Sequence, residues 1–129
     1  MARYEHLPLY KAVYDLNLYF YKLSRGFPKD FKYGLAQEIR HHLSRLLDDI
    51  IVANNTENKA KILARSLILI ERLKNKYRLL GDLGVVKSSS YECFFRQLIE
   101  ISKQFEKWQS WSEKSGGRGS VSFSTNRAE

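Results

Sequence analysis

Lys61, Arg65, Arg72 and Lys76 are separated by four, seven and four residues, a spacing that places them on one stripe of a helix. Cations on a rigid helical stripe can pair with successive phosphates of a nucleic acid and release its condensed counterions. The stripe is expected roughly opposite the buried face of its helix. Lys74 and Arg78, four apart, make a shorter second row, and Arg40 and Arg45 are weaker candidates upstream. For one stripe taken alone, a solvated face is the plainer reading. The overall balance favours a polyanionic partner, because 22 Lys and Arg stand against 14 Asp and Glu, a formal charge of +8. Residues 56–82 carry seven basic and three acidic groups and so hold half of that excess.

Catalytic patterns are thinner. Glu38 and His41 have the Glu-x-x-His spacing of di-iron bundles, but that chemistry needs a second such pair and two more carboxylates on facing helices. The third histidine, His6, lies in the N-terminal lead. His42 falls on an apolar helix face, where a histidine reads as a hydrogen-bonded core residue before it reads as a ligand. Asp48 and Asp49 are adjacent, so on a helix they diverge and form no dyad. Cys93 is the single cysteine, which excludes an intramolecular disulfide and a cysteine-based zinc site. Spacing puts it on the outer side of its helix. No phosphate-cradling glycine loop occurs. The chain reads as a non-enzyme, with no metal and no cofactor.

The elements that must position these residues are helices. Seven Gly and two Pro in 129 residues leave few turns. The first helix is expected from Leu7 to Ser24, with Leu9, Val13, Leu16, Phe20, Leu23 and Phe27 on one face. Tyr10, Tyr14 and Tyr21 form a stripe beside it, read as a bundle flank or subunit contact, with base stacking as the lesser possibility. The second helix is expected from Pro28 or Asp30 to Asn54, with Gly34 inside it or a later, frayed start. Leu35, Ile39, His42, Leu46, Ile50 and Ala53 share its face, and Leu43, Leu47 and Ile51 widen that face beyond what one core needs. The excess suggests a central helix or a subunit interface, with Leu47 and Ile51 as the candidate oligomer-contact residues.

Thr56 is expected to cap a third helix running to Leu80, buried through Ile62, Ser66, Ile70, Leu73, Tyr77 and Leu80. Gly81 and Gly84 close it. A capping box of Ser89 and Glu92 opens the fourth, whose core face is Phe94, Leu98, Ile101, Phe105 and Trp108, flanked by Phe95 and Ile99. It should fade near Trp111. The fold class is all-α, an up-down-up-down antiparallel four-helix bundle over residues 1–111. Residues 112–129 change to Ser, Gly, Thr and Asn and read as a disordered tail. No apolar run approaches a membrane span and no signal core opens the chain, so the expected compartment is the cytoplasm.

Two stretches carry a resemblance. Arg3-Tyr4-Glu5-His6-Leu7-Pro8-Leu9-Tyr10-Lys11 resembles the start of bacterial four-helix bundle proteins grouped with the Avd family, the accessory variability determinants of diversity-generating retroelements. Residues 27–40, from Phe27-Pro28-Lys29 through Tyr33, Leu35, Gln37 and Arg40, are similar to the entry into the second helix shared by Avd and the 23S ribosomal-RNA intervening-sequence proteins. Gln104-Phe105-Glu106-Lys107-Trp108 looks like the aromatic end of the same bundles. The second helix ends Ile51-Val52-Ala53-Asn54-Asn55, without the Asn-Ile-Ala-Glu-Gly usual in the intervening-sequence proteins, so the Avd form is the nearer one. The resemblance implies a basic homopentameric ring of four-helix protomers. It also implies association with a reverse transcriptase and with template RNA or complementary DNA, in support of mutagenic retrohoming. The alternative is a structural, protein-interaction bundle of the intervening-sequence type that binds no nucleic acid.

Overall fold

The computed structural model describes residues 3–116. A 3-10 turn at Tyr4–His6, not foreseen from spacing, leads into α1 (Pro8–Ser24). Pro8 occupies the first position of α1, where its fixed φ suits the helix and its missing N–H is not needed. A single turn, α2 (Lys29–Lys32), precedes α3 (Leu35–Asn54), and α4 (Ala60–Asp82) and α5 (Ser88–Gly116) complete the fold. Among the described residues there is no strand. Helix α1 packs on α3, α3 on α4, α4 on α5, and α5 returns to α1, which closes the four long helices around one core.

The boundaries differ from expectation where side chains bond in ways spacing does not reveal. Gly34 breaks the second helix: it takes φ −114°, ψ −102° between α2 and α3, a turn that brings the Asp30 carbonyl oxygen to 2.8 Å from where a Cβ would sit. The long second helix accordingly has the later start, at Leu35. Thr56 does not cap α4. Its hydroxyl donates back to the Val52 carbonyl at 2.6 Å, which ends α3, and α4 begins only at Ala60. Ser89 lies inside the first turn of α5 rather than at its cap, because the helix already starts at Ser88. At its far end α5 runs on to Gly116, five residues past Trp111, carried by the helix-forming Glu113 and Lys114. The rest of the expected tail lies outside the described residues.

The end of α4 follows its glycines. Gly84 takes φ +75°, Val85 N–H donates to the Leu80 carbonyl at 3.0 Å, and Gly84 N–H donates to that of Gly81 at 3.0 Å. This pair of bonds is the Schellman closure, and the left-handed position favours a residue without Cβ.

The core follows the expected faces closely. Leu9, Val13, Leu16, Phe20, Ile39, Leu43, Leu46, Ile50, Ile70, Leu73, Tyr77, Leu80, Phe94, Leu98, Ile101 and Phe105 are buried, and Leu63 and Leu69 join them. Leu23, Leu35 and Ile62 are only half-buried, and Ile99 is exposed, because each sits at the edge of its stripe. At the centre Tyr77 stacks on Phe94 at 3.9 Å between centroids, and Phe20 meets Phe94 edge-on at 5.7 Å. Burial raises the Tyr77 phenol well above its ordinary range, and its hydroxyl donates to the Ser90 carbonyl at 3.2 Å. Asn17 is buried between α1 and α3, donating to the Val13 carbonyl at 2.9 Å and across the interface to that of Leu43 at 3.1 Å. A buried amide satisfied in only one alignment fixes helix register.

Candidate nucleic-acid interface

Two ion pairs set the register of α3 against α4. Lys76 Nζ lies 2.8 Å from Glu38 Oε1, and Arg65 Nη2 lies 2.6 Å from Asp49 Oδ1. Their equal and opposite offsets place His42 opposite Arg72, and Arg45 opposite Leu69, along an antiparallel seam. The expected row of Lys61, Arg65, Arg72 and Lys76 therefore does form, but it borders α3 instead of lying opposite the buried face. Spacing fixes how residues stand relative to one another on a helix, while the identity of the neighbour comes from tertiary packing.

That position changes the electrostatics. Asp49 is 1% exposed and accepts from Arg65 and, at 2.8 Å, from the Ser66 hydroxyl. Arg65 is consequently the partner of a buried carboxylate, and Lys76 is engaged by Glu38. The Lys76 hydrogen bond, then its charge, holds the Glu38 carboxyl below the usual carboxylate range. Lys74 pairs with Glu71 at 2.9 Å and is half-buried. Arg40 is a tie between helices. Its guanidinium donates to Ser24 Oγ and to the Lys32 carbonyl, each at 2.9 Å, and lies 5.6 Å from the Tyr21 ring centroid. By contrast Lys61, Arg72, Arg78 and Arg45 are exposed and form no ion pair among the described residues. Ile68, 57% exposed, stands on the same row between Arg65 and Arg72.

His42 was expected as a hydrogen-bonded core residue and is not one. It is half-buried at the rim of the seam, and its Nε2 is buried with no hydrogen-bond partner among the described residues. Burial, then Lys76 and Arg72, holds the imidazole below its ordinary range. The signal available in the sequence was its place on an apolar face, which discloses neither that it ends at the rim nor that α4 supplies cations opposite.

A second surface gathers the residues read as an oligomer interface. Arg40 over Tyr21 and the Asn17–Leu43 bond fix α1 antiparallel to α3, and the same register sets Leu47 beside Tyr14 and Ile51 beside Tyr10. Tyr14 and Tyr21 are 49% and 50% exposed, and Leu18 between them is 46% exposed. Tyr10 is half-buried and stacks on Tyr14 at 6.1 Å. Leu47 and Ile51 are half-buried, so part of the surplus on α3 serves the bundle itself.

The remaining reactive side chains do not converge. Among the described residues no three His, Cys, Asp or Glu groups could hold a metal ion. His41 is exposed while its expected companion Glu38 is bound to Lys76, and Asp48 is exposed while Asp49 is buried. Cys93 is half-buried facing Tyr19 of α1, not on the outer side, and its sulfur accepts from Gln97 Nε2 at 3.2 Å. Among the described residues no helix is long and apolar enough to cross a membrane. A family model described as bAvd-like matches residues 8–112, from the first residue of α1 to the last turns of α5. No curated protein matches the chain.

Proposed function

The chain belongs to the bAvd-like family, and from that premise we propose that it is a non-catalytic accessory of a reverse transcriptase in a diversity-generating retroelement, holding template RNA or its complementary DNA. The observation that carries the nucleic-acid part is the set of exposed, unpaired cations on α3 and α4, namely Arg45, Lys61, Arg72 and Arg78. Such groups neutralise phosphates without first breaking a protein ion pair, and their contacts carry little sequence information. Arg65 and Lys76 belong to the same surface as Arg45, Lys61 and Arg72 but give up a carboxylate to contribute, while Arg78 stands on the shorter second row of α4.

The α1/α3 surface of Tyr14, Leu18 and Tyr21, flanked by Leu47 and Ile51, supports self-association. In the Avd resemblance the assembly is a homopentamer, a ring closed by one repeated heterologous contact. Copying chemistry is left to the polymerase, and the working compartment is the cytoplasm.

The test replaces Arg45, Lys61, Arg72 and Arg78 together by Gln and measures retention of an oligonucleotide at moderate salt. Loss of retention, with the helical signal intact, is the expected result. Each phosphate contact removed lowers the salt slope by about 0.7 to 0.9. One observation favours a second reading: Glu38 and Asp49 already occupy two of the four cations in the main row. A structural, protein-binding bundle fits that neutralisation, and it requires that nucleic-acid retention be absent at all salt concentrations.

A further inference from the structure

The α3/α4 seam contains a histidine that the nucleic-acid reading does not use. His42 sits between the two ion pairs, opposite Arg72 and one turn along α3 from Glu38, whose carboxylate holds Lys76. The groups that act on it electrostatically are Glu38 and His41 from α3, and Arg72 and Lys76 from α4. Its Nε2 is buried and makes no hydrogen bond among the described residues. A polar ring atom in that state has lost its water without gaining a partner, and protonating it beside two cations is unfavourable.

We propose that Arg72 and Lys76 form a phosphate subsite that is proton-linked through His42, so that docking of a nucleic-acid phosphate there draws a proton from solvent onto the imidazole. This rests on the nucleic-acid reading above and adds a residue and a mechanism to it. The phosphate supplies the negative charge that the seam lacks around His42, cancelling the repulsion from Arg72 and Lys76. It competes with Glu38 for Lys76. As the phosphate takes over Lys76, Glu38 is freed to face the imidazolium one turn away on its own helix. No covalent bond is made or broken, and the only species exchanged is the proton. By linkage, whatever raises the proton affinity of His42 on binding must make binding tighter as pH falls. The imidazole is held low in the free protein, so the dependence spans the interval between its value in the complex and its lower free value. Below that interval affinity levels off.

The test is fluorescence anisotropy with a single-stranded oligonucleotide at constant ionic strength, from about pH 8 to about pH 5.5, a range in which histidine is the side chain that titrates. Wild type is expected to tighten several-fold, within the ceiling of about tenfold per pH unit for one linked proton. His42→Gln, neutral throughout, should lose that dependence, whereas His41→Gln at the exposed neighbour should keep most of it. In parallel, NMR of wild type follows the His42 ring resonance with and without oligonucleotide, a measurement that needs no variant to fold. An upward move of its titration midpoint on binding supports the linkage. An unmoved midpoint, or a His42→Gln protein with the wild-type pH slope, overturns it while leaving nucleic-acid binding intact. Absence of binding by wild type at every pH overturns the nucleic-acid reading as well.

Discussion

Asp49 shows how one residue decides what its neighbours can do. Its carboxylate is buried and accepts from Arg65 and Ser66, so Arg65 is held by the fold before any ligand arrives. Asp49→Ala is expected to destabilise the protein by about 1 to 3 kcal/mol in urea unfolding, the usual cost of breaking a buried hydrogen-bonded charge. Reversing Arg65 to Glu would set two carboxylates against each other in the seam, so charge reversal of the whole row would measure folding as much as binding. His42 gives a pH signature in the same experiment. Its value in the folded protein lies below its ordinary one, so the unfolded chain binds the proton more readily. The stability it contributes is therefore complete above about pH 6.5 and is lost as pH falls below that, toward the lowered folded value. His42→Gln should reduce this acid loss, as seen in melting temperatures across that range. From the sequence alone His42 was legible as a member of an apolar face and Arg65 as one of four similar cations. The buried Asp49 that distinguishes Arg65, and the Arg72 that faces His42, come from other helices.

At the scale of elements, periodicity was a reliable guide to which side of each helix is buried, because the 3.6-residue repeat is a local property. Breaks and caps were less legible. Gly34 read as a tolerated interior glycine, yet its non-helical backbone, crowded by the Asp30 carbonyl, separates α2 from α3. Thr56 had the residue type of an N-cap and instead bonds backward to Val52. Both depend on where the neighbouring backbone goes. Gly84 was the legible case, a glycine just past a periodic helix. Gly84→Ala should cost about 1 to 2 kcal/mol, the penalty for a Cβ in the left-handed region, with little change in helical content by circular dichroism. The azimuth of the basic row is illegible in the sequence for a related reason. Its members were correctly placed together on α4, but only the pairing with Glu38 and Asp49 reveals that they line α3.

For the whole molecule, the described surface separates into an aromatic-apolar face on α1/α3 and a cationic seam on α3/α4, with α3 contributing to both. The family and the bundle were legible through the entry into α1 and the Phe27–Arg40 stretch. The number of subunits enters only through the resemblance, because a stripe that could meet another copy does not say how many copies would close the contact. Tyr14→Asp combined with Leu18→Asp should shift the protein toward monomer in multi-angle light scattering while its helical signal stays, since both side chains are about half exposed in the single chain. An unchanged mass would overturn the proposed subunit contact on this face.

The contact between Glu38 and Lys76 bears on how tenaciously such a surface would hold a polymer. Glu38 is tethered to the protein, so it is always present to reclaim Lys76 once a phosphate shifts away. A strand on this seam would meet a built-in competitor at one end and would exchange more readily than the formal charge suggests. Under the proposed function, a holder of that kind would let a template slide past an advancing polymerase.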